Sequence, residues 1–450
     1  MRFEEDFQNH TANGIKSAEA NFREKVAGRQ VPWSRHCRSG FITTEEYELI
    51  DKYDKKPEPE KRAIFLNEGE RLSRFFVDFL NKVADLETVQ YVLYLINEII
   101  SIEPKALAQF AKLSKEDDPE YPLMTFFRMT GREDNNAYVN LLTGRIMGNL
   151  MSVTAPQKKD LERFVNWTLP LLRKTESREV EVALIALQPF FLKEDNRVLF
   201  ISLNGPEHLT DILSVQSTSS TPVLSLLYEA LYAFWLLSYN ESFVKWVSGK
   251  HVISNLVSII KAITKEKIVR LAISSLRNLL GHGDNNEEMI ECGFVRMLNF
   301  LSNKKWGDQD IVDDISTLSE TLSQDIARMS SFDKYRAEVL SKELEWSPVH
   351  KSEKFWKENA VRFEENSHNV LKFLHLILQK SDNPLHISIA CHDLGEFVRF
   401  HPRGKIIIET LGIKTDIMKL MTNPNEEVKK QALFALQKMM INNWEYLSSK

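Results

Sequence analysis

Apolar residues recur along most of the chain at the three- and four-residue spacing of an amphipathic helix. Two clear stripes are Leu72, Phe75, Phe76, Leu80 and then Val89, Val92, Leu93, Ile96. Helix breakers are scarce, with 16 Gly and 15 Pro in 450 residues. Each stripe predicts a helix that buries one face, and the scarcity of breakers favours helices over a turn-rich β fold.

The middle of the chain repeats itself. Three blocks each hold an Ala-rich apolar segment, a polar turn, a second apolar segment, a glycine and a third apolar segment, and their glycines are Gly205, Gly249 and Gly293, spaced 44 residues apart. A period in the low forties is typical of armadillo and HEAT repeats, in which stacked units share one continuous core. We therefore predict an all-α, armadillo/HEAT-like, right-handed helical solenoid, with the small glycine allowing a sharp turn between helices.

The repeat pattern returns around Gly412, after an interval too long for one unit. The interval begins with the acidic stretch 308–325, which also carries a helical apolar stripe from Ile311 to Ile326. It then reaches Pro348, which should stop a helix. We predict two domains with the following bounds: a solenoid over 1–346 with an irregular start over 1–65, a hinge at Ser347, Pro348, Val349 and His350, and a C-terminal helical domain over 351–450.

Composition narrows the class of protein. The formal charge of −5 and the pI near 6.2 lack the basic footprint of a nucleic-acid partner. The three cysteines are far apart, which fits a reducing cytosol. Residues 1–6 lack the apolar core of a secretory signal, and no run of about 18 apolar residues predicts a membrane span.

The chain shows no pattern of a catalytic, cofactor or metal site: there is no phosphate loop, no GxGxxG, no HExxH and no CxxC pair. Cys391-His392-Asp393 contains nucleophile and base types, but helix neighbours point about 100° apart. We interpret Cys391 as a core thiol and His392 as a surface residue. The run from Asp308 to Asp313 lacks the central glycine of a calcium loop, so we interpret it as an exposed acidic loop.

One segment carries a family resemblance. Residues 344–360, LEWSPVHKSEKFWKENA, closely resemble the signature of the H subunits of vacuolar-type proton ATPases. Residues 401–405, HPRGK, and the stretch from Leu436 to Tyr446 are similar to the final repeats of that family. Ala20-Asn21, Val31-Pro32-Trp33 and residues 42–50 resemble its N-terminal region more loosely.

The resemblance implies a non-catalytic regulatory subunit without a cofactor. It implies that the chain couples ATP hydrolysis to proton transport in the assembled pump and inhibits hydrolysis in the detached cytosolic sector. The implied partners are peripheral-stalk subunits E and G, the cytosolic part of the membrane a subunit, and, in the inhibited state, the B subunit of the catalytic ring and the rotor. The implied location is cytoplasmic, attached through the pump to vacuolar, lysosomal or endosomal membranes without insertion.

The sequence allows more than one interpretation of the residues that would contact a partner. Phe355 and Trp356 are either interface anchors or core residues of the first C-terminal helix. Lys351, Glu353 and Lys354 would be surface groups of that helix and candidates for partner contact. The alternative function is a generic armadillo/HEAT adaptor in membrane trafficking. An enzyme that uses Cys391 or a hidden metal is the least favoured interpretation.

Overall fold

The computed structural model describes residues 24–113, 120–132, 137–175, 177–328 and 330–440, and across these ranges the chain is helical, without a β-strand. Residues 1–6, Ala20-Asn21 and residues 443–446, on which parts of the sequence interpretation rest, lie outside the described residues. The all-α prediction is confirmed. The chain divides into two compact units: the first runs to Trp246 and includes Ser258–Asn278, and the second holds Val247–Val257 and the described residues from Leu279 onward.

The helices along residues 33–278 are, in order, α1 (Trp33–Arg38), α2 (Thr44–Tyr53), α3 (Glu58–Lys82), α4 (Leu86–Ile102), α5 (Pro104–Ala111), α6 (Leu123–Thr130), α7 (Ala137–Val153), α8 (Lys158–Leu172), α9 (Ser177–Phe190), α10 (Glu194–Ser202), α11 (Gly205–Thr218), α12 (Leu224–Leu237), α13 (Glu241–Val247), α14 (Val252–Ala262) and α15 (Glu266–Asn278). Those along residues 283–440 are α16 (Gly283–Glu291), α17 (Phe294–Ser302), α18 (Gln309–Arg328), α19 (Ser331–Ser341), α20 (Pro348–Lys351), α21 (Glu353–Asn359), α22 (Glu365–Lys380), α23 (Pro384–Phe400), α24 (Gly404–Thr410), α25 (Ile413–Leu420) and α26 (Glu426–Met440), with a 3₁₀ turn at Ala360–Glu364.

The predicted repeats form a stack in the first unit. The three Ala-rich blocks lie on α9, α12 and α15, and α7, α9, α12 and α15 pack against one another in succession. Ala183, Ala230 and Ala272, the first residues of the blocks, are all fully buried. Small residues at these positions let neighbouring helices approach closely, so the repeats share one core. The repeat prediction is confirmed.

The repeat glycines serve two different purposes. Gly249 and Gly293 adopt φ of +72° and +75°, the left-handed turn that glycine allows at low cost. At the first repeat Asn204 takes that conformation instead, with φ +57°. A Cβ at Gly205 would clash with the Phe200 ring, so this glycine leaves room for an aromatic side chain. Only two of the three glycines therefore make the predicted turn.

The start of the chain is more ordered than predicted. Helix α2 begins with a capping box between Thr43 and Glu46. Helix α3 begins at Glu58 and tolerates Pro59 in its first turn, where the backbone N–H has no helical partner. Trp33 is buried, and its indole N–H donates to Asp54 over 2.8 Å. The prediction of an irregular start over 1–65 is wrong for the helical segments 33–38, 44–53 and 58–65.

The acidic stretch of the second unit is a helix. Helix α18 buries the predicted apolar stripe from Ile311 to Leu322, and two of its carboxylates, Asp313 and Glu320, are exposed. Asp308 accepts a hydrogen bond from the Asp310 backbone N–H over 3.0 Å and so precedes the first turn. The acidic residues 310–325 therefore belong to α18. The interpretation of Asp308–Asp313 as an exposed loop is wrong for Asp310 and Asp313.

A single hydrophobic cluster, here called the C-terminal core, fills the end of the second unit. Its buried members run from Phe332 to Met439 and draw on α19, α21, α22, α23, α24, α25 and α26. Helix α19 contributes Phe332 and Tyr335, which precede the predicted hinge in sequence. The C-terminal core therefore begins before residue 347.

Candidate functional site

The segment with the strongest family resemblance forms two short helices. Ser347 precedes α20, and Pro348 occupies its first turn, where a fixed φ suits the helix. Helix α20 ends at Lys351. The Ser352 hydroxyl then accepts a hydrogen bond from the Phe355 backbone N–H over 3.2 Å and caps α21. The proline signal correctly marked a helix boundary.

Helix α20 places a histidine in a buried polar group, here called the Asp393 cluster, which consists of Tyr335, Glu338, His350, His392 and Asp393. His350 and Asp393 are both fully buried. The His350 Nδ1 lies 2.8 Å from Asp393 Oδ2, and Tyr335 donates its hydroxyl to the same oxygen over 2.9 Å. The His392 Nδ1 lies 3.1 Å from Asp393 Oδ1. One carboxylate thus joins α19, α20 and α23.

The cluster is charged at neutral pH. Burial alone would lower the pKa of His350, but Asp393 and Glu338 outweigh it and raise the pKa to about 10. The Glu338 carboxylate lies 3.6 Å from His350 Nε2, an ion-pair distance too long for a direct hydrogen bond. Burial would raise the pKa of Asp393, and the hydrogen bonds from the two histidines lower it instead. An imidazolium therefore faces a carboxylate inside the core.

This charge state predicts how stability depends on pH. The pKa of His350 is about 10 in the folded chain and near 6.5 when unfolded. The protonated imidazole contributes its full stabilisation below about pH 6.5, and that contribution is lost as pH rises through the folded pKa. We expect the free energy of unfolding to fall between these limits, with a slope of at most about 1.4 kcal/mol per pH unit.

The measurement is guanidinium unfolding of the C-terminal core across that pH range, for the wild type and for His350→Gln. The wild type should lose stability with rising pH while the variant shows a flatter profile, which isolates His350 from other titrating groups. Parallel profiles for the two proteins would show that His350 is not protonated in the folded chain.

The structure places the predicted hinge residues inside the second unit. Pro348 is exposed, Ser347 and Val349 are half-buried, and His350 is fully buried. Trp356 donates its indole N–H to the His350 carbonyl over 2.9 Å. The boundary between the two compact units lies earlier in the chain. A hinge at 347–350 stays a prediction, and any motion there has to open the Asp393 cluster or carry it along.

The candidate contact residues separate into two groups. Phe355 is 5% exposed and Trp356 is fully buried in the C-terminal core, so a packing role describes both. Their use as interface anchors, one of the two sequence interpretations, would require this core to open. Lys351, Glu353 and Lys354 are exposed, as predicted. Of the five candidates, these three are accessible to a partner.

Cys391, His392 and Asp393 have different surroundings from one another. Cys391 is fully buried, as predicted, and burial raises the pKa of its thiol to about 12. Such a thiol is protonated and unreactive at neutral pH. His392 is half-buried and contacts Asp393, so its interpretation as a surface residue is wrong. Side-chain rotation brings His392 and Asp393 into contact although adjacent residues on a helix point about 100° apart.

Sequence reasoning missed Tyr335, Glu338 and the central role of Asp393. One signal was present: Asp393 shares a helix face with the apolar residues Ile389, Ala390 and Phe397. A carboxylate on an otherwise apolar face predicts a buried partner. Its partners could not be named from that signal alone.

Two properties of the described residues bear on the class of function. The described part of the chain holds no group of three or more His, Cys, Asp or Glu placed to bind a metal. None of the helices in the described ranges has the length and apolarity needed to cross a membrane. The observed features are stacked helices, a buried polar cluster and exposed surfaces. They define a helical-repeat protein, a class that acts through its binding surfaces.

The comparisons give the particular family. The family of V-ATPase H subunits matches in two parts, an N-terminal part over residues 18–322 and a C-terminal part over residues 328–444. The chain belongs to this family. The two parts meet before α19, which agrees with the start of the C-terminal core and lies earlier than the predicted hinge.

Relatives match over nearly the whole chain. The V-type proton ATPase H subunit of Dictyostelium discoideum is 52% identical over 98% of both chains. A probable V-type proton ATPase H subunit of Oryza sativa subsp. japonica is 32% identical, covering 93% of this chain and 96% of its own. The V-type proton ATPase H subunit of Drosophila melanogaster is 30% identical, with 94% and 90% covered.

Among solved structures, a designed armadillo repeat protein in complex with a (KR)4 peptide covers 61% of this chain and 99% of its own, with 15% identity and a TM-score of 0.32. An engineered protein covers 89% and 100%, with 13% identity and a TM-score of 0.37.

Proposed function

We propose that this chain is the non-catalytic regulatory subunit of the cytosolic sector of a vacuolar-type proton pump. In the assembled pump it couples ATP hydrolysis to proton transport, and in the detached sector it inhibits hydrolysis. The observation that carries the proposal is the full-length match to the family of V-ATPase H subunits, with 52% identity to one V-type proton ATPase H subunit.

The proposed partners are those that membership of the family implies, and we assign them to two parts of the chain. The repeat stack of the first unit binds peripheral-stalk subunits E and G through the extended surface that stacked helices present. The C-terminal domain binds the cytosolic part of the membrane a subunit in the assembled pump, and the B subunit and the rotor in the inhibited state. The chain is cytoplasmic and reaches vacuolar, lysosomal or endosomal membranes through the pump.

Inhibition needs a surface that is free to change partners. The outward face of α21 supplies one: Lys354 and Lys357 are 83% and 67% exposed, and each is paired only loosely with a carboxylate four residues away, over 3.9 and 4.0 Å. Exposed pairs of this kind contribute little to stability, about 0.3–0.5 kcal/mol each. Both charges therefore can be exchanged for contacts with a partner at little cost to the fold.

The test is ATP hydrolysis by a purified catalytic sector depleted of this subunit, with increasing amounts of the added chain. We expect a saturable fall in hydrolysis. A chain that ends at residue 328 should lose the effect and keep its helical circular dichroism. A cut at residue 350 is less suitable, because it strips Phe332 and Tyr335 of the C-terminal core that buries them.

A point variant tests the α21 surface without a truncation. Lys354→Glu should weaken the fall in hydrolysis, whereas Lys429→Glu, a half-exposed lysine on α26, should not. Equal behaviour of the two variants would remove α21 from the proposal. No effect of the wild-type chain on hydrolysis, together with no binding to the peripheral stalk, would leave the armadillo/HEAT adaptor as the function.

A further inference from the structure

A groove in the second unit lies directly beside the Asp393 cluster. It encloses about 590 Å³ and runs between Trp346, the end of α20 and the outer side of α26. We call it the Trp346 groove. Its floor is part apolar: Trp346 is half-buried, and Phe434 on α26 is 42% exposed. Exposed aromatic side chains in a concave site are the usual anchors of a bound segment.

The charged residues that line the groove are mostly cationic. They are three lysines, Lys351, Lys430 and Lys438, and one carboxylate, Glu427. The Lys351 ammonium lies over the Trp346 ring, 5.1 Å from its centroid, and Lys430 pairs with Glu427 at the surface over 3.5 Å. Lys438 is held from behind by Glu396, which neutralises part of its charge. The groove therefore keeps a positive balance next to two aromatic rings.

We propose that the Trp346 groove binds an acidic peptide segment that carries a large apolar side chain. The apolar side chain would lie against Trp346 and Phe434, while its flanking carboxylates would meet Lys351 and Lys430. The Lys351 ammonium lies over the Trp346 ring, and the imidazoles of His350 and His392 lie nearly perpendicular to it, with centroids 5.9 and 5.1 Å away. These contacts hold the Trp346 ring in position.

The position of the groove gives its occupant a way to act on the fold. Trp346 and His392 line the groove and contact His350 and Asp393 respectively. A peptide segment bound in the groove would therefore contact Trp346 and His392, which in turn contact the residues that hold α20 against α23. Binding would thus be coupled to the Asp393 cluster and to any movement of the predicted hinge. The inference stands on the groove alone and does not depend on the proposed action on ATP hydrolysis.

The test uses the full-length chain and a fluorescein-labelled synthetic peptide in which Asp and Glu flank a central Phe-Leu pair. Fluorescence anisotropy should show saturable, salt-sensitive binding. The double variant Lys351→Glu/Lys430→Glu should weaken binding by about tenfold or more, because both rim charges are reversed. Phe434→Ser should weaken it severalfold. A peptide with Ser in place of Phe-Leu, and one with Lys in place of the acidic residues, should bind far less.

Lys429→Glu is the matched control. Lys429 is the neighbour of Lys430, has a similar exposed fraction (51% against 57%) and pairs with a glutamate over the same 3.5 Å, but it does not line the groove. Its variant should bind as the wild type does. Equal loss in both lysine variants would mean unspecific charge attraction and overturn the proposal. The proposal would also be overturned if inorganic polyphosphate displaced the peptide and the Phe434→Ser variant bound the peptide as tightly as the wild type does.

Hydrogen exchange gives an independent readout. On adding the peptide, backbone amides of residues 345–351 and 427–438 should exchange more slowly, because both segments wall the groove. Protection confined to other parts of the chain would place the peptide elsewhere and overturn the assignment. The hydrolysis assay remains a separate measurement, so failure here leaves the proposed regulatory function unaffected.

Discussion

Replacing Asp393 with Asn should lower the free energy of unfolding of the C-terminal core by about 3–5 kcal/mol near pH 7. The substitution keeps the shape of the side chain but removes its charge. Three donors converge on the Asp393 carboxylate, from Tyr335, His350 and His392. An amide has one acceptor oxygen and brings two donors of its own, so at least one buried donor loses its partner.

The variant should also change the pH dependence. Glu338 still lies 3.6 Å from His350 and opposes the effect of burial, but the contribution of Asp393 is gone, so the pKa of His350 should fall from about 10. The loss of stability above about pH 6.5 should therefore be smaller in the variant than in the wild type and should level off at a lower pH. Such a shift of the pH profile is a signature that lost packing alone does not produce.

A double variant separates charge from packing. In His350→Gln/Asp393→Asn, no buried charge is left uncompensated between these two positions, so part of the stability should return relative to Asp393→Asn alone. Denaturant midpoints of the four proteins complete the cycle. Additive losses in the double variant would contradict a coupled ion pair and indicate that each residue acts through its own packing.

The repeat stack could be predicted because its signal is periodic. An alanine at the start of the block recurs in α9, α12 and α15, and a polar turn follows each of these helices. Each block thus indicates the same close approach of helices. The pattern can be recognised without knowing which distant residues come into contact. Its one failure, the turn at Gly205, is local: Asn204 is one of the few non-glycine residue types that adopt the left-handed conformation, and it stands directly before the glycine.

The Asp393 cluster could not be predicted for the opposite reason. Asp393 is 43 residues from His350 and 58 from Tyr335, so the contacts depend on how α19, α20 and α23 pack. A single sequence shows that a carboxylate interrupts an apolar face and not which side chains meet it. The adjacent Cys391-His392-Asp393 run attracted attention for its residue types, and only the Asp393 carboxylate proved central.

The domain boundary depends on more than a local signal. Pro348 does interrupt the helical pattern, and α20 begins there. A helix break is a domain boundary only if few contacts cross it. Here Tyr335 precedes the break and Asp393 follows it. The Tyr335 hydroxyl donates a hydrogen bond to Asp393, and both side chains are buried. The family match instead divides the chain before α19. All described residues of the C-terminal core then lie on the C-terminal side of the division.

Trp356→Ala should be as damaging as the loss of Asp393, at about 3–5 kcal/mol. The indole is fully buried, and its ring centroid lies 5.3–5.7 Å from those of Tyr335, Phe355 and Phe363. Alanine would leave a cavity among these rings. It would also remove the donor to the His350 carbonyl, 2.9 Å away, and so loosen the end of α20.

Trp306 is the matched control, because its indole also donates to a backbone carbonyl over 2.9 Å, that of Leu301, while its ring is only half-buried. Trp306→Ala should cost clearly less, about 1–2 kcal/mol, since less apolar surface is lost from the interior. Thermal and denaturant unfolding of both variants measure the difference. The comparison also decides between the two roles that the sequence left open for Trp356: an interface anchor would leave unfolding unchanged and weaken partner binding, whereas a core residue must first lower the stability of the C-terminal core, and any loss of binding would follow from that.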